Sequence, residues 1–311
     1  VPTSYNLIVI LGPTASGKTK LAAALAHQLH THIISADSRQ VYKRMNIGTG
    51  KDYDDYTINN QTIPYHLIDI LEPGERYNLH EFMRDFFATF KQLQTQQISP
   101  ILCGGTGLYI DSVLRNLTYA SVPNNQDIRK SIAHLTHPEL TAYFNQMPLT
   151  DFTPKADLST LKRTIRAIEI NHYLQHHTFT VPVTPDIKPI IFGLDVSVEL
   201  RRARITQRLQ HRLKNGLIDE VEQLLKEGIT HEQLQYYGLE YKFVSQYLLG
   251  LMSKEALEEL LNIAIQQFAK RQMTYFRKME KDGHVIHWID ASFDVHEQLK
   301  QVQAVLNSNN S

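Results

Sequence analysis

The residues with the clearest chemistry lie near the start of the chain: Gly12, Pro13, Thr14, Ala15, Ser16, Gly17, Lys18 and Thr19 in one unbroken run. The apolar stretch Leu7 to Leu11 precedes them, and Leu21, Ala22, Leu25, Ala26 and Leu29 follow at helical spacing. Strand, glycine-rich turn and helix is the setting in which such a loop wraps phosphate. Its backbone N–H groups point inward, and the helix start adds partial positive charge. Lys18 supplies a point charge to the terminal phosphates, and Thr19 offers a hydroxyl to Mg²⁺. The ligand class is a polyphosphate.

Two further segments have the same form. Ile33 to Ala36 is a short apolar run ending at Asp37, Ser38, Arg39 and Gln40. Residues just beyond strand carboxyl ends line the ligand crevice of an open α/β sheet. That places Asp37 beside the phosphates as a general base or an outer Mg²⁺ partner, with an ordinary turn residue as the equal alternative. Ser99 to Cys103 opens into Gly104-Gly105-Thr106-Gly107-Leu108-Tyr109, which brings Thr106 toward the same crevice. Tyr109 reads as a helix-packing residue.

These loops need a sizeable scaffold. A chain of 311 residues exceeds one ordinary core and implies a main domain with an insertion. Apolar residues make up 42% and charged residues 21%, the proportions of a soluble globular protein. No apolar run is long enough for a membrane span, and the start lacks a secretory pattern. Cys103 is the sole cysteine, which excludes internal disulfides and fits a reducing cytoplasm. Lys plus Arg and Asp plus Glu number 32 each, so any nucleic-acid surface must be a local patch. Helices are expected over Asp127–Leu135, Pro138–Asn145, Asp157–Leu174, Glu199–Lys214 and Glu255–Glu280. In the third, Leu158, Leu161, Ile165 and Ile168 face a core, while Lys162, Arg163 and Arg166 lie off that stripe at a spacing suited to phosphate contacts or to a solvated face. Arg201, Arg204, Arg208 and Arg212 form a second basic stripe.

Taken together, the segments resemble the tRNA dimethylallyltransferases, or tRNA isopentenyltransferases. The matching stretches are GPTASGKT at 12–19, ISADSRQVYKRMNIGTGK at 34–51, HLIDILEPGERYNLHEFMRDF at 66–86 and ILCGGTGLYIDSVL at 101–114. KRTIRAIEI at 162–170 and AKRQMTYFRKME with VIHWID near the end complete the likeness, which spans about residues 7 to 290. The resemblance implies an α/β fold: a P-loop NTPase-like core with a mostly parallel sheet, formed by residues 1–118 and 186–311, and a helical insertion domain over 119–185 that contacts tRNA.

It also implies transfer of a dimethylallyl group from dimethylallyl diphosphate to N6 of the adenosine 3′ to the anticodon, in tRNAs that read codons beginning with U. The P-loop and Mg²⁺ then hold a pyrophosphate leaving group. Asp37 is implied as the base that also orients the adenine, with Thr19 and Thr106 completing the catalytic set. Ser38, Arg39, Gln40, Arg129, Lys162, Arg163 and Arg166 are implied contacts to the tRNA anticodon stem-loop, and a monomer is expected. The chain departs from the family pattern in three places. GTGK stands at 48–51 for the commoner GTAK, and Ser159-Thr160 replaces an asparagine-aspartate pair. The Gly-Tyr-Arg/Lys motif is lengthened to Gly238-Leu-Glu-Tyr241-Lys242, making Lys242 the aligned donor-phosphate cation. The same transfer onto free AMP, ADP or ATP is the nearest alternative; a P-loop small-molecule kinase leaves the later motifs unexplained.

Overall fold

The computed structural model describes residues 4–180 and 184–309. Strand β1 (Leu7–Leu11) is buried along its whole length and feeds two cores. Leu7, Val9 and Leu11 enter one, and Ile8 and Ile10 the other. That is the period-two alternation of a strand covered on both faces. Beside it lie β2 (Ile33–Ser35), a small hairpin of β3 (Thr57–Ile58) and β4 (Gln61–Thr62), then β5 (Tyr65–His66), β6 (Ile101–Gly104), β7 (Pro189–Asp195) and β8 (Ile286–Asp290). The main sheet runs β5-β2-β6-β1-β7-β8, and every pairing in it is parallel. The expected strands appear as β1, β2 and β6; β5, β7 and β8 extend the sheet at both edges.

Helix α1 (Lys18–Leu29) covers one face together with the C-terminal helix, through Leu21, Leu25, Val302 and Leu306. The opposite face is covered by α2 (Leu79–Thr95), α3 (Gly107–Arg115) and the later helices. Asn78 starts α2 with a capping box: its side chain accepts from the His80 and Glu81 N–H groups, while the Glu81 carboxylate accepts from Asn78 N–H. Such a cap is worth about 1 kcal/mol.

The chain divides into two compact units, Asn116–Thr184 and the remainder. The smaller one holds α4 (Gln126–Ile132), α5 (His137–Gln146) and α6 (Leu161–His176), packed on their own core of Val122, Ile132, Leu140, Phe144 and Ile168. It begins at Asn116 rather than at residue 119. Thr160 caps α6 by accepting from Arg163 N–H, so Leu158 falls outside the helix and Leu161 at its first position is exposed. Ile168 is buried in that core, and Leu158 and Ile165 pack against it as expected, so Leu161 alone of the four departs; Thr164, Ala167 and Asn171 complete the buried side of the helix.

The larger unit resumes with α7 (Val198–Lys214), α8 (Leu217–Lys226), the single turn α9 (His231–Leu234), α10 (Leu239–Leu248), the long α11 (Lys254–Lys281) and α12 (Val295–Asn309). Among the described residues, no helix is long and apolar enough to cross a membrane.

Candidate active site

Strands β2, β6 and β1 are neighbours, so the turns leaving their carboxyl ends lie side by side. These turns hold Thr14–Lys20, Asp37–Gln40 and Gly105–Gly107, and all line one cavity of about 1140 Å³. Gly12 and Pro13 form the foot of the first turn. Gly17 ends it at φ 86°, a left-handed conformation that strains any residue with a side chain. This places the start of α1 toward the cavity, the arrangement that favours a bound anion.

Lys18 Nζ folds back to donate to the Pro13 carbonyl at 3.4 Å. Desolvation pulls its pKa below the usual lysine value, opposed by the neighbouring Cys103 and Asp37. Asp37 Oδ1 accepts from Arg39 N–H at 2.9 Å; among the described residues, Oδ2 makes no hydrogen bond. Thr106 stitches the adjacent turns together. Its hydroxyl accepts from Ser38 N–H at 3.1 Å, and its own N–H donates to the Ala36 carbonyl at 3.2 Å. Burial pushes the Cys103 thiol up to about 12, against the pull of Lys18, which leaves it a packing residue.

The floor comes from segments far along the chain. Gln272 on α11 accepts from Thr14 N–H at 2.8 Å and donates to the Gly105 carbonyl at 2.8 Å. Glu220 on α8 accepts from the N–H groups of Asn46, Ile47 and Gly48 at 2.7, 2.7 and 3.0 Å, and from the Tyr241 hydroxyl at 2.7 Å. The loop thus held offers the Gly50 carbonyl to Gln40 Nε2 at 3.0 Å. Neither Gln272 nor Glu220 is singled out by the sequence reading. The first stands inside AKRQMTYFRKME, whereas the second belongs to an unremarkable amphipathic helix.

Arg208 joins this loop to the phosphate-type turn. It donates to Asp52 at 2.6 Å and reaches Thr14 Oγ1 at 3.5 Å. Arg212 lies 3.8 Å from Asp52 and 3.8 Å from Glu240, and its buried Nη2 has no hydrogen-bond partner among the described residues. Desolvation, reinforced by the charge of Arg208, draws its pKa down to about 10. A side chain at residue 50 would strike both guanidinium groups, which accounts for the glycine of GTGK. The lengthened motif opens α10, setting Tyr241 beneath Gly48 and Lys242 on the cavity wall. Arg204 and Arg271 also line the cavity.

The expected RNA contacts of the smaller unit behave differently from one another. Arg129 meets the buried Glu169 through two bonds, 2.8 and 3.0 Å, and Arg166 lies 3.6 Å from the same carboxylate while donating to the Val122 carbonyl at 2.5 Å. Both therefore also tie the unit's own structure together. Arg163 pairs with Asp157 at 2.9 Å, and Lys162 is exposed. On the larger unit, Arg277 is held by Asp195 at 2.7 Å and stacks on Trp288 at 3.9 Å, a structural role.

Two family models match the chain: IPP transferase over residues 40–279 and isopentenyl transferase over residues 5–62. A protein named tRNA dimethylallyltransferase 2 from Phocaeicola vulgatus is 49% identical over 306 residues, covering 98% of this chain and 99% of the relative. One of the same name from Porphyromonas gingivalis is 46% identical, covering 97% and 100%. Among solved structures, the tRNA isopentenylpyrophosphate transferase of Bacillus halodurans superposes with a TM-score of 0.71 at 27% identity, over 97% of this chain and 96% of that one. The Staphylococcus epidermidis tRNA isopentenylpyrophosphate transferase gives a TM-score of 0.68 at 30% identity, over 97% and 98%.

Proposed function

The chain belongs to the IPP transferase family of tRNA dimethylallyltransferases, and from that premise we propose that its cavity holds dimethylallyl diphosphate against an extruded tRNA adenosine. The observation that carries this reading is the junction of a phosphate-type loop with a carboxylate and a hydroxyl from the next two turns, all on one cavity. The diphosphate lies against the N–H groups of residues 14–19, with Lys18, Arg208 and Lys242 as its cations. The N6 amine attacks the first carbon of the prenyl group. A C–N bond forms there as the C–O bond to diphosphate breaks, and the amine proton passes to Asp37. Loop N–H groups and cations stabilise the charge that grows on the leaving diphosphate. Gln40 and Thr106 border the adenine, which must leave its stack to enter.

The oxygen set fits Mg²⁺. Among the described residues no cluster of three or more His, Cys, Asp and Glu side chains surrounds a metal position, but this ion is commonly held by few protein oxygens together with phosphates and water. Thr19 would hold it, together with the diphosphate and water, and it would supply charge neutralisation at the diphosphate. Lys162, and Arg163 beyond its pair with Asp157, are the phosphate contacts proposed for the smaller unit, with Arg129 and Arg166 presenting what charge Glu169 leaves them. The acceptor adenosine is the one 3′ to the anticodon, and the enzyme acts as a cytoplasmic monomer.

The test offers labelled dimethylallyl diphosphate and Mg²⁺ with unmodified tRNA, and separately with AMP or ATP. Label is expected in tRNA, and lost when the target adenosine is replaced. Label in the free nucleotide alone would overturn the acceptor assignment, and ATP consumption without prenyl transfer would overturn the reaction.

A further inference from the structure

On the larger unit, two arginines from distant segments meet one tyrosine. The Arg39 guanidinium carbon lies 4.9 Å from the centre of the Tyr236 ring, and that of Arg76 lies 5.8 Å from it. The ring is fixed. Its hydroxyl donates to the Tyr77 carbonyl at 3.0 Å, and Tyr237 packs edge-on at 5.4 Å. Arg39 lines the cavity, as do Gln235 and Tyr237 on either side of Tyr236, so the group stands at the cavity's rim.

Nearby cations are spent on carboxylates. Lys43 pairs with Glu72, Arg44 with Glu72 and Glu227, and Arg84 with Asp85. Among the described residues, neither Arg39 nor Arg76 has a carboxylate within ion-pair distance, and Arg76 is exposed. A guanidinium stacked on an aromatic ring keeps its N–H edge free for a phosphate and its outer plane free for a base. Single-stranded RNA is bound by that combination.

We propose that Arg39, Tyr236 and Arg76 form a platform for the nucleotides adjoining the adenosine that enters the cavity, with Arg76 contacting a backbone phosphate. The proposal rests on the tRNA reading above and adds to it a contact surface on the catalytic unit. A phosphate contact releases counterions, so its removal lowers both the affinity and the salt dependence of binding.

The experiment measures tRNA binding to the full chain over a series of KCl concentrations, alongside pyrophosphate binding by calorimetry. Arg76→Ala is expected to weaken tRNA binding about tenfold and to lower the log–log salt slope by about 0.7–0.9, leaving pyrophosphate affinity unchanged. Arg76→Lys keeps the slope but recovers only part of the affinity, because an ammonium lacks the planar stack. Tyr236→Leu, which removes the ring, weakens tRNA binding without changing the slope. Unchanged tRNA affinity and slope in Arg76→Ala would overturn the platform while leaving the transferase reading intact. Failure of the unaltered protein to bind tRNA would overturn both.

Discussion

Gln272 holds Thr14 from 258 residues away, its side-chain oxygen accepting the Thr14 N–H at 2.8 Å. Its amide nitrogen simultaneously donates to the Gly105 carbonyl at 2.8 Å. One amide thereby fixes the spacing between the phosphate-type loop and the turn that carries Thr106. It uses an acceptor and a donor at once, which no carboxylate or ammonium can do.

Gln272→Glu therefore removes the bond to Gly105 and puts a negative charge beside the diphosphate, whereas Gln272→Ala removes both bonds. Each bond is worth about 1 kcal/mol net, and about 1.4 kcal/mol is tenfold in rate. Steady-state kinetics are expected to show kcat/KM for the donor falling about 30-fold in the alanine variant and further in the glutamate variant, with the KM for tRNA nearly constant. A larger effect on tRNA than on donor would contradict this role.

Lys18 sets function against stability. Its depressed pKa means that, between that lowered value and 10.5, the unfolded chain binds a proton the folded chain lacks. Stability at this position rises with pH across that window, and below it the partly buried cation is a cost. Lys18→Met is expected to raise the Tm of the ligand-free protein at neutral pH by about 2 °C. The same change weakens pyrophosphate binding about 10- to 100-fold, the range for a charge-assisted bond. Scanning calorimetry and titration calorimetry on one preparation test both halves.

Much of this site was legible in the sequence because its parts are local. The loop 12–19, Asp37 and Thr106 each follow an apolar run directly, and a parallel sheet brings such turns to one edge. What was not legible depends on long-range pairing. Strand β7 contains a proline and a glycine, and β8 carries His287 and Trp288, so neither presents the uninterrupted apolar run of β1. Glu220 and Gln272 gain their roles only when α8 and α11 pack against loops from the first third of the chain. The basic stripe of α7 was visible, but not that Arg208 and Arg212 share Asp52.

Glu169 balances the smaller unit. Its side chain is fully buried, and it faces both Arg129 and Arg166. Glu169→Ala leaves those guanidinium groups without their carboxylate and is expected to cost about 2–3 kcal/mol. Hydrogen exchange should quicken within residues 116–184, while pyrophosphate binding stays unchanged. Equal loss of protection in both units would contradict that confinement.

Cys103 is a negative control for nucleophilic chemistry. With its thiol held near 12, roughly one part in ten thousand is thiolate at pH 8. Alkylating reagents are expected to spare the native protein and label the denatured chain, and Cys103→Ala to keep transfer activity within about twofold. Inactivation that parallels native-state labelling would contradict this.

The most direct measurement on the central claim is single-turnover prenyl transfer by Asp37→Asn, with tRNA and pyrophosphate affinities measured on the same protein. Asparagine keeps the shape and the oxygen that accepts from Arg39 N–H, but it cannot take a proton. The rate is expected to fall about 10²- to 10⁴-fold at saturating substrates, the usual worth of a general base, with both affinities nearly unchanged. A rate close to that of the unaltered protein, or a loss explained wholly by weaker binding, would contradict Asp37 as the group that receives the proton.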